Sequence, residues 1–243
     1  GVATLQGIAN YNPISNNICI LRNESDGRTD EMHGIGHGPY VIAPSHFFTR
    51  NNGSLSIRSV RGLYKIENTC NLRIMPVENR DIVIIRLPKD HPPFTHSIQF
   101  EEPCKDDKVV MLGMNFQNGR NIQEFSDSSI IVQQNESFWK HWIATKAGYC
   151  GLPLVSTRTK AVVGIHSLRA TDDSVNYFTS VNRHLKDALQ LNIDTLKWIK
   201  GWKYNTKLLS WDGMHLKTSK PSAAFNTIKE VRVVNENMHN VSE

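Results

Sequence analysis

A cysteine between two glycines is the part of the sequence best suited to chemistry. Cys150 lies in TKAGYCGLPLV, with Gly148 and Gly151 on either side and a short apolar run after it. An acyl-transfer nucleophile must stand on a tight turn, so that backbone N–H groups of the same turn point at the developing oxyanion. Glycine permits the backbone angles that such a turn needs. The segment therefore predicts a cysteine nucleophile, with the amides of Gly148 and Cys150 as its oxyanion hole.

A thiol is weakly ionised at neutral pH, so this hypothesis needs a histidine base and a group that orients the base. His46 follows the β-rich run GPYVIAPS, and Asp81 opens the apolar run DIVIIRLP, where burying a charge is costly unless it is paired. The order His46, Asp81, Cys150 is that of base, acid and nucleophile in chymotrypsin. We predict a catalytic triad, although these residues taken singly also fit a structural turn, a surface histidine and a strand cap.

Short β-rich runs must position these residues. Runs of about 5–8 residues, rich in Val, Ile and Tyr and separated by turn signals, dominate the first 200 positions. This spacing favours an all-β fold of antiparallel barrels or a sandwich over a βαβ fold. We expect a helix around Asn182–Trp198, where apolar residues recur at near-helical spacing.

The polar stretch Phe116–Asp127 is the natural break in the middle of the chain. Placing the connection there predicts an N-terminal barrel over 1–117, which contains His46 and Asp81. A C-terminal barrel over 118–220 then contains Cys150, and 221–243 is a polar tail. The active-site cleft lies between the two barrels.

Composition excludes several classes of protein. The chain has 243 residues, 39% hydrophobic and 21% charged, with a formal net charge of +5, as is ordinary for a globular protein. No apolar run approaches the roughly 18–20 residues that span a bilayer, so no membrane association is expected. The N-terminal residues do not resemble a signal peptide, and four scattered cysteines favour a reducing compartment over secretion.

Beyond these local features, a series of motifs running from about Gly7 to about Pro221 resembles the nuclear inclusion a proteases of potyviruses. The motifs are YNPIS (11–15), NESDG (23–27), RNNGSL (50–55), NRDIVIIRLPKD-PPF (79–94), FWKHWI (138–143), the TK-G-CG-PLVSTR stretch (145–158), VGIHS (163–167), NYFTSV (176–181), WIKGW (198–202) and SKP (219–221). The resemblance implies a chymotrypsin-like double β-barrel and a cysteine endopeptidase that processes a viral polyprotein by cutting after glutamine, with glutamate as the alternative, in an extended recognition sequence. It maps its triad onto His46, Asp81 and Cys150.

The resemblance also implies how the substrate binds. Thr145 and His166 correspond to the residues that bind the glutamine amide, and a hydroxyl with an imidazole can match the carbonyl and the NH₂ of that side chain. The peptide is expected to add as a β-strand along Ser167, Leu168 and Arg169. Apolar pockets for the residues upstream of the cut are assigned to Tyr177, Leu209, Trp211, Met214 and Leu216.

Two departures from the family concern specificity. Ala147 stands where the family has an Asp that shapes pockets near the cleaved bond, and the loop 169–175 is unlike its counterpart. Asp172 and Asp173 in this loop should repel an acidic side chain far upstream in the substrate. We therefore expect neutral or basic residues to be tolerated there. By resemblance we also expect a monomer without cofactor or metal, in the host cytoplasm and nucleus.

Other functions compete with this interpretation. The net charge and the basic residues Lys217, Lys220, Lys229 and Arg232 permit sequence-tolerant RNA binding, although no RNA-recognition signature is present. A metal site could use His33, His37 and His46, but the i,i+4 spacing of HGIGH shares a face only in a helix, and this segment is strand-like. An inactive binding module is disfavoured because all three triad residues are present.

Overall fold

The computed structural model describes residues 11–25, 27–48, 54–67, 72–95, 98–117, 119–170, 175–190, 199–200 and 219–221. Within this part of the chain, residues 11–15 are helical (α1), a 3₁₀ helix covers Ser45–Phe48, and an α-helix (α2) covers Arg183–Gln190. The remaining regular structure consists of β-strands. No helix of the described residues is long and apolar enough to cross a membrane.

The first sheet has eight strands in the order β16-β6-β7-β3-β2-β1-β4-β5, with every neighbouring pair antiparallel. Seven of them come from the first 86 residues, and the eighth is a short return from near residue 200. The strands are β1 (Ile18–Ser25), β2 (Arg28–His37), β3 (Tyr40–Ala43), β4 (Ser54–Ser59), β5 (Gly62–Ile66), β6 (Arg73–Pro76), β7 (Val83–Arg86) and β16 (Ile199–Lys200).

The second sheet has nine strands. Seven follow the order β10-β8-β13-β14-β15-β12-β11, while β9 pairs with β8 and β17 pairs with β14. The strands are β8 (Lys108–Gln117), β9 (Arg120–Phe125), β10 (Ser129–Ile130), β11 (Val132–Gln133), β12 (Phe138–His141), β13 (Pro153–Ser156), β14 (Val162–Ala170), β15 (Asn176–Ser180) and β17 (Ser219–Pro221). The two sheets form the chymotrypsin-like pair of antiparallel barrels, which confirms the expected fold class.

Strand β7 shows why some sequence runs consist almost entirely of apolar residues. On β7, Val83 and Ile85 pack into one buried cluster, while Ile84 packs into another that also includes residues of the second sheet. Successive side chains of a strand point to opposite faces, so both faces of β7 are covered. The run DIVIIR therefore lies between the core of the first barrel and the second sheet, and Asp81 at its head lies near that boundary.

The expected connection at Phe116–Asp127 is wrong. Strands β8 and β9 form a hairpin through these residues, with Gly119 at φ 75° in its turn. β9 is mostly exposed, so it lacks the apolar alternation that identifies a strand, and its polar sequence resembles a linker. The chain instead crosses from the first sheet to the second between Arg86 and Lys108. The helix expected over Asn182–Trp198 is present as α2 up to Gln190, and residues 191–198 lie outside the described residues.

Candidate active site

The predicted base lies on a short helical turn. Strand β3 ends at Ala43, and the 3₁₀ helix that follows carries His46 with a fully buried side chain. Phe47 and Phe48, next along the turn, are 2% and 0% exposed and contact each other edge to face. Because these two rings anchor the turn in the core of the first barrel, the backbone that carries His46 is held rigidly.

Asp81 lies on the turn before β7, against the second sheet. The preceding Arg80 donates from Nε to the Ser180 carbonyl at 3.0 Å, and the Asp81 N–H donates to the Thr179 hydroxyl at 3.3 Å. Both acceptors belong to β15. A buried guanidinium and a backbone amide of the first barrel therefore bond to one strand of the second, which positions the carboxylate at the junction of the barrels.

The carboxylate of Asp81 receives four hydrogen bonds. Its Oδ2 lies 2.6 Å from His46 Nδ1, and its Oδ1 accepts from the His46 N–H at 3.0 Å and from the Ser45 hydroxyl at 2.8 Å. The Ser167 hydroxyl also donates to Oδ2. Four donors compensate for burial of the charge. Because the carboxylate accepts the Nδ1 proton, the lone pair of His46 lies on Nε2, as a general base requires.

The nucleophile stands on a turn that only glycine can complete. Gly148 and Gly151 both have φ near 92°, a region that L side chains rarely adopt. A Cβ on Gly151 would lie 1.8 Å from the backbone oxygen of His33. The Gly151 N–H donates to the His166 carbonyl at 2.8 Å, and Cys150 Sγ lies 3.2 Å from the Ser167 carbonyl. The turn is therefore fixed between β2 of the first sheet and β14 of the second.

His33 is a residue of this site that sequence reasoning missed. Its N–H donates to the Cys150 carbonyl at 2.8 Å, and its ring Nδ1 lies 2.6 Å from the Gly148 carbonyl. A carbonyl only accepts, so Nδ1 carries the proton. Burial lowers the pKa of His33 to about 4, which keeps the ring neutral. One residue of the first barrel thus holds the carbonyls on both sides of Tyr149, in the turn whose amides are predicted to form the oxyanion hole.

The other described cysteines differ from Cys150. Cys19 is buried on β1, and burial raises the pKa of its thiol to about 12, so it is protonated at neutral pH. Cys104 is exposed in the loop before β8. Neither has a place in the hydrogen-bond network of His46 and Asp81 described above. His46, Asp81 and Cys150 are arranged as a triad.

The described residues include part of the predicted glutamine pocket. His166 is fully buried on β14, one residue before the Ser167 that bonds Asp81, and Thr145 is half-buried in the loop that leads to the nucleophile. Ala147 is exposed on that loop. Tyr177 is 4% exposed and pairs with Leu168 across the sheet. The specificity residues Asp173, Leu209, Trp211, Met214 and Leu216 lie outside the described residues.

The strand edge predicted to receive the peptide is paired with the chain itself. Beyond a register shift between His166 and Leu168, β14 pairs with the short strand β17. Leu168 lies opposite Pro221 and Arg169 opposite Lys220, in antiparallel register. This edge therefore accepts an added strand, and β17 covers the positions where a substrate was expected.

Among the described residues, the structure does not support the alternative hypothesis of a metal site at His33, His37 and His46. They contain no group of three His, Cys, Asp or Glu side chains that could hold a metal ion. His33 and His37 lie on β2, and four residues of strand separate them by about 13 Å along its axis. The ring of His33 bonds to Gly148, as described above.

Comparison with known proteins agrees with this geometry. Residues 2–232 match the family described as peptidase family C4. The chain is 42% identical over 225 residues to the genome polyprotein of turnip mosaic virus, strain Japanese, an alignment that covers 92% of this chain and 7% of the polyprotein. The chain thus spans a small part of the curated relatives that it matches.

Two solved structures extend the match to three dimensions. Catalytically active tobacco etch virus protease complexed with product has a TM-score of 0.76 at 44% identity, covering 80% of this chain and 85% of that one. Catalytically inactive tobacco etch virus protease complexed with substrate has a TM-score of 0.76 at 44% identity, covering 80% and 91% of the two chains. With the triad described above, these matches show that the chain belongs to peptidase family C4 and is a cysteine endopeptidase of the potyvirus nuclear inclusion a type.

Proposed function

We propose that this protease cuts a viral polyprotein on the carboxyl side of glutamine, with the substrate bound as an added β-strand. The observation that carries the proposal is the buried His46–Asp81 pair at 2.6 Å in a triad with Cys150, beside the buried imidazole of His166. Its curated relatives are genome polyproteins of which this chain matches one short part, which supports a polyprotein as substrate.

The chemistry follows from the protons of the triad. His46 Nε2 takes the proton of the Cys150 thiol, and the thiolate attacks the carbonyl carbon of the substrate glutamine. The oxyanion that forms is stabilised by the amides of Gly148 and Cys150. The imidazolium of His46 gives its proton to the leaving amine as the C–N bond breaks, and a thioester remains on Cys150. A water molecule, deprotonated by His46, then attacks the thioester and releases the acid and the thiol.

Specificity in this proposal comes from Thr145 and His166. A glutamine side chain presents one carbonyl acceptor and one NH₂ donor, which a ring N–H and a hydroxyl oxygen can satisfy. A pocket whose buried polar groups are left unpaired by the wrong side chain discriminates strongly against that side chain. Hydrogen bonds between the peptide backbone and β14 would supply sequence-independent affinity. The antiparallel pairing of β17 with Leu168–Ala170 supports the use of this edge, where a substrate strand would take the place of β17.

Cleavage of a diverse peptide library, with every cut site sequenced, tests the proposal. We expect cuts after glutamine and none by Cys150→Ala, while Cys104→Ala, which changes an exposed thiol, retains the wild-type profile. Equal cutting after many residue types would overturn the glutamine assignment. Activity in Cys150→Ala would overturn the nucleophile. The same library tests whether neutral or basic residues are tolerated far upstream, as Asp172 and Asp173 predict.

RNA binding, a monomeric state and the host compartments stay predictions. Of the basic residues on which RNA binding depends, Lys217, Lys229 and Arg232 lie outside the described residues.

A further inference from the structure

A second buried histidine contacts the ring of His166. His141 ends β12, is fully buried, and lies with its ring centroid 5.2 Å from that of His166 at an interplanar angle of 76°. His141 Nε2 and His166 Nδ1 are 3.1 Å apart. His141 has no part in the triad network, and the motifs that indicate the glutamine pocket assign it no role.

The direction of each hydrogen bond in this pair follows from one backbone amide. The Ile143 N–H donates to His141 Nδ1 at 3.2 Å, and an N–H cannot accept, so Nδ1 is a lone pair. The proton of a neutral His141 is therefore on Nε2, from which it donates to His166 Nδ1. His166 Nδ1 is then an acceptor, and the proton of a neutral His166 must be on Nε2.

Nε2 of His166 is the atom left for the substrate. It is buried and has no hydrogen bond of normal geometry among the described residues, although the Tyr177 carbonyl favours a proton on this ring. A buried N–H without a well-formed hydrogen bond destabilises the free enzyme. A substrate carbonyl oxygen that reaches this position would satisfy it.

The surroundings keep both rings uncharged. Burial lowers the pKa of His141 to about 3. Burial also lowers the pKa of His166 well below its usual value, and the neighbouring His141, His46 and Arg169 lower it further, while the Tyr177 carbonyl acts in the opposite direction. These groups face His166 from β12, the 3₁₀ turn, its own strand and β15. Protonation at Nδ1 would also set two N–H groups against each other across the 3.1 Å contact.

We propose that His141 is a positioning residue that fixes His166 as a neutral imidazole with its proton on Nε2, and thereby makes the pocket select glutamine over glutamate. This rests on the proposed function, in which His166 contacts the glutamine side chain. A neutral N–H donor matches an uncharged amide, whereas a buried glutamate carboxylate would find no positive charge on the His166 ring that contacts it. An imidazolium would supply that charge, so the donor from His141 maintains the selectivity as pH falls.

The test compares two peptides that differ only in glutamine or glutamate before a cut site mapped by the library. The readout is the ratio of their kcat/KM values from pH 8.5 to pH 5.5, because effects on the triad and on stability cancel in it. In the wild type the ratio should fall on acidification only as far as protonation of the peptide's own glutamate makes that side chain neutral, and this fall is the baseline. In His141→Phe the ratio at pH 5.5 should lie about tenfold or more below this baseline, because His166 Nδ1 no longer faces an N–H donor and can take a proton.

Two further variants distinguish the hydrogen bond that His141 donates to His166 from the packing of its ring. His141→Gln places an amide donor near the position of Nε2 and should retain the wild-type ratio at every pH. His91→Phe changes a buried histidine that packs against Tyr64 in the first barrel, and should also leave the wild-type ratio unchanged. A ratio in His141→Phe that equals the wild-type ratio at every pH would overturn the proposal.

Nuclear magnetic resonance of ¹⁵N-histidine-labelled wild-type protein tests the same point without a variant. The ring ¹⁵N shifts should show His141 and His166 protonated at Nε2 only, with no titration down to pH 5.5. A proton on His166 Nδ1, or titration near pH 6.5, would overturn the proposal even if His141→Phe does not fold. Failure of the glutamine assignment is distinguishable, because it would appear as wild-type cleavage after other residues while the tautomers stayed as expected.

Discussion

His46 and His166 lie in two regions of one site, and both are fully buried imidazoles whose Nδ1 has a partner. In the triad region the partner of His46 is the Asp81 carboxylate, which stabilises the imidazolium that forms when the thiol is deprotonated. In the pocket region the partner of His166 is the neutral ring of His141. Because both rings are fully buried, the group at Nδ1 distinguishes the histidine that acts as a base from the one that acts as a neutral donor.

The nucleophile turn adds a third case. His33 donates from Nδ1 to the Gly148 carbonyl. This hydrogen bond links the first barrel to the nucleophile turn, and the ring takes no part in proton transfer. His46, His166 and His33 thus have three different partners at one ring atom: a carboxylate, an imidazole donor and a carbonyl.

The largest loss of activity is expected at His46, whose partner at Nδ1 is the charged carboxylate of Asp81. Asp81→Asn replaces the carboxylate by an amide that cannot stabilise the imidazolium and that favours the wrong tautomer of His46. We expect kcat to fall by about 10⁴-fold with KM little changed, as for the equivalent change in a Ser–His–Asp triad. Steady-state kinetics on the preferred glutamine peptide measures this. Asp90→Asn, at an exposed site, is the matched control. A loss below tenfold would show that Asp81 does not orient the base.

A smaller loss of kcat is expected when the hydrogen bond from His33 to the nucleophile turn is removed. His33→Phe fills the same space but removes the donor to the Gly148 carbonyl, so the oxyanion turn loses one of its two bonds to β2. We expect kcat to fall by about 10²-fold, a loss comparable to that of one oxyanion-hole donor, with little change in KM. His91→Phe controls for loss of a buried histidine elsewhere. If His33→Phe raised KM and left kcat unchanged, the turn would not depend on this bond.

The smallest effect is expected on the free energy of unfolding at acidic pH. Burial lowers the pKa of His33 to about 4 and that of His141 to about 3, whereas an unfolded histidine titrates near 6.5. Below pH 6.5 the unfolded state therefore binds more protons, and the free energy of unfolding falls as pH falls. Each of these histidines should contribute about 1.4 kcal/mol of loss at pH 5.5 relative to neutral pH.

Urea denaturation at pH 7.5 and pH 5.5 measures this loss. His141→Phe should show a smaller drop than the wild type, by about 1.4 kcal/mol, because it removes one proton-binding site of the unfolded state. His184→Gln, which changes an exposed histidine on α2, is the matched comparison. An equal drop in wild type and His141→Phe would show that His141 is already charged in the folded protein.

The residues that sequence analysis could place are those whose own chemistry is unusual for their position. Cys150 between glycines and Asp81 at the head of an apolar strand both conflict with ordinary packing, and the arrangement of the triad is confirmed. His33 could not be placed, because its role depends on bonds to backbone carbonyls of a segment more than a hundred residues away. The polar strand β9 was mistaken for a linker, because exposure on both faces removes the alternation that marks a strand.

Acid-quenched mass spectrometry during turnover of a glutamine peptide tests directly whether His46 and Asp81 activate Cys150 as the nucleophile. We expect a transient mass increase equal to the acyl half of the peptide, located on Cys150 and absent from Cys150→Ala. Slow thioester formation in Asp81→Asn should delay the adduct without moving it. An adduct on Cys104, or turnover in Cys150→Ala, would show that Cys150 is not the nucleophile.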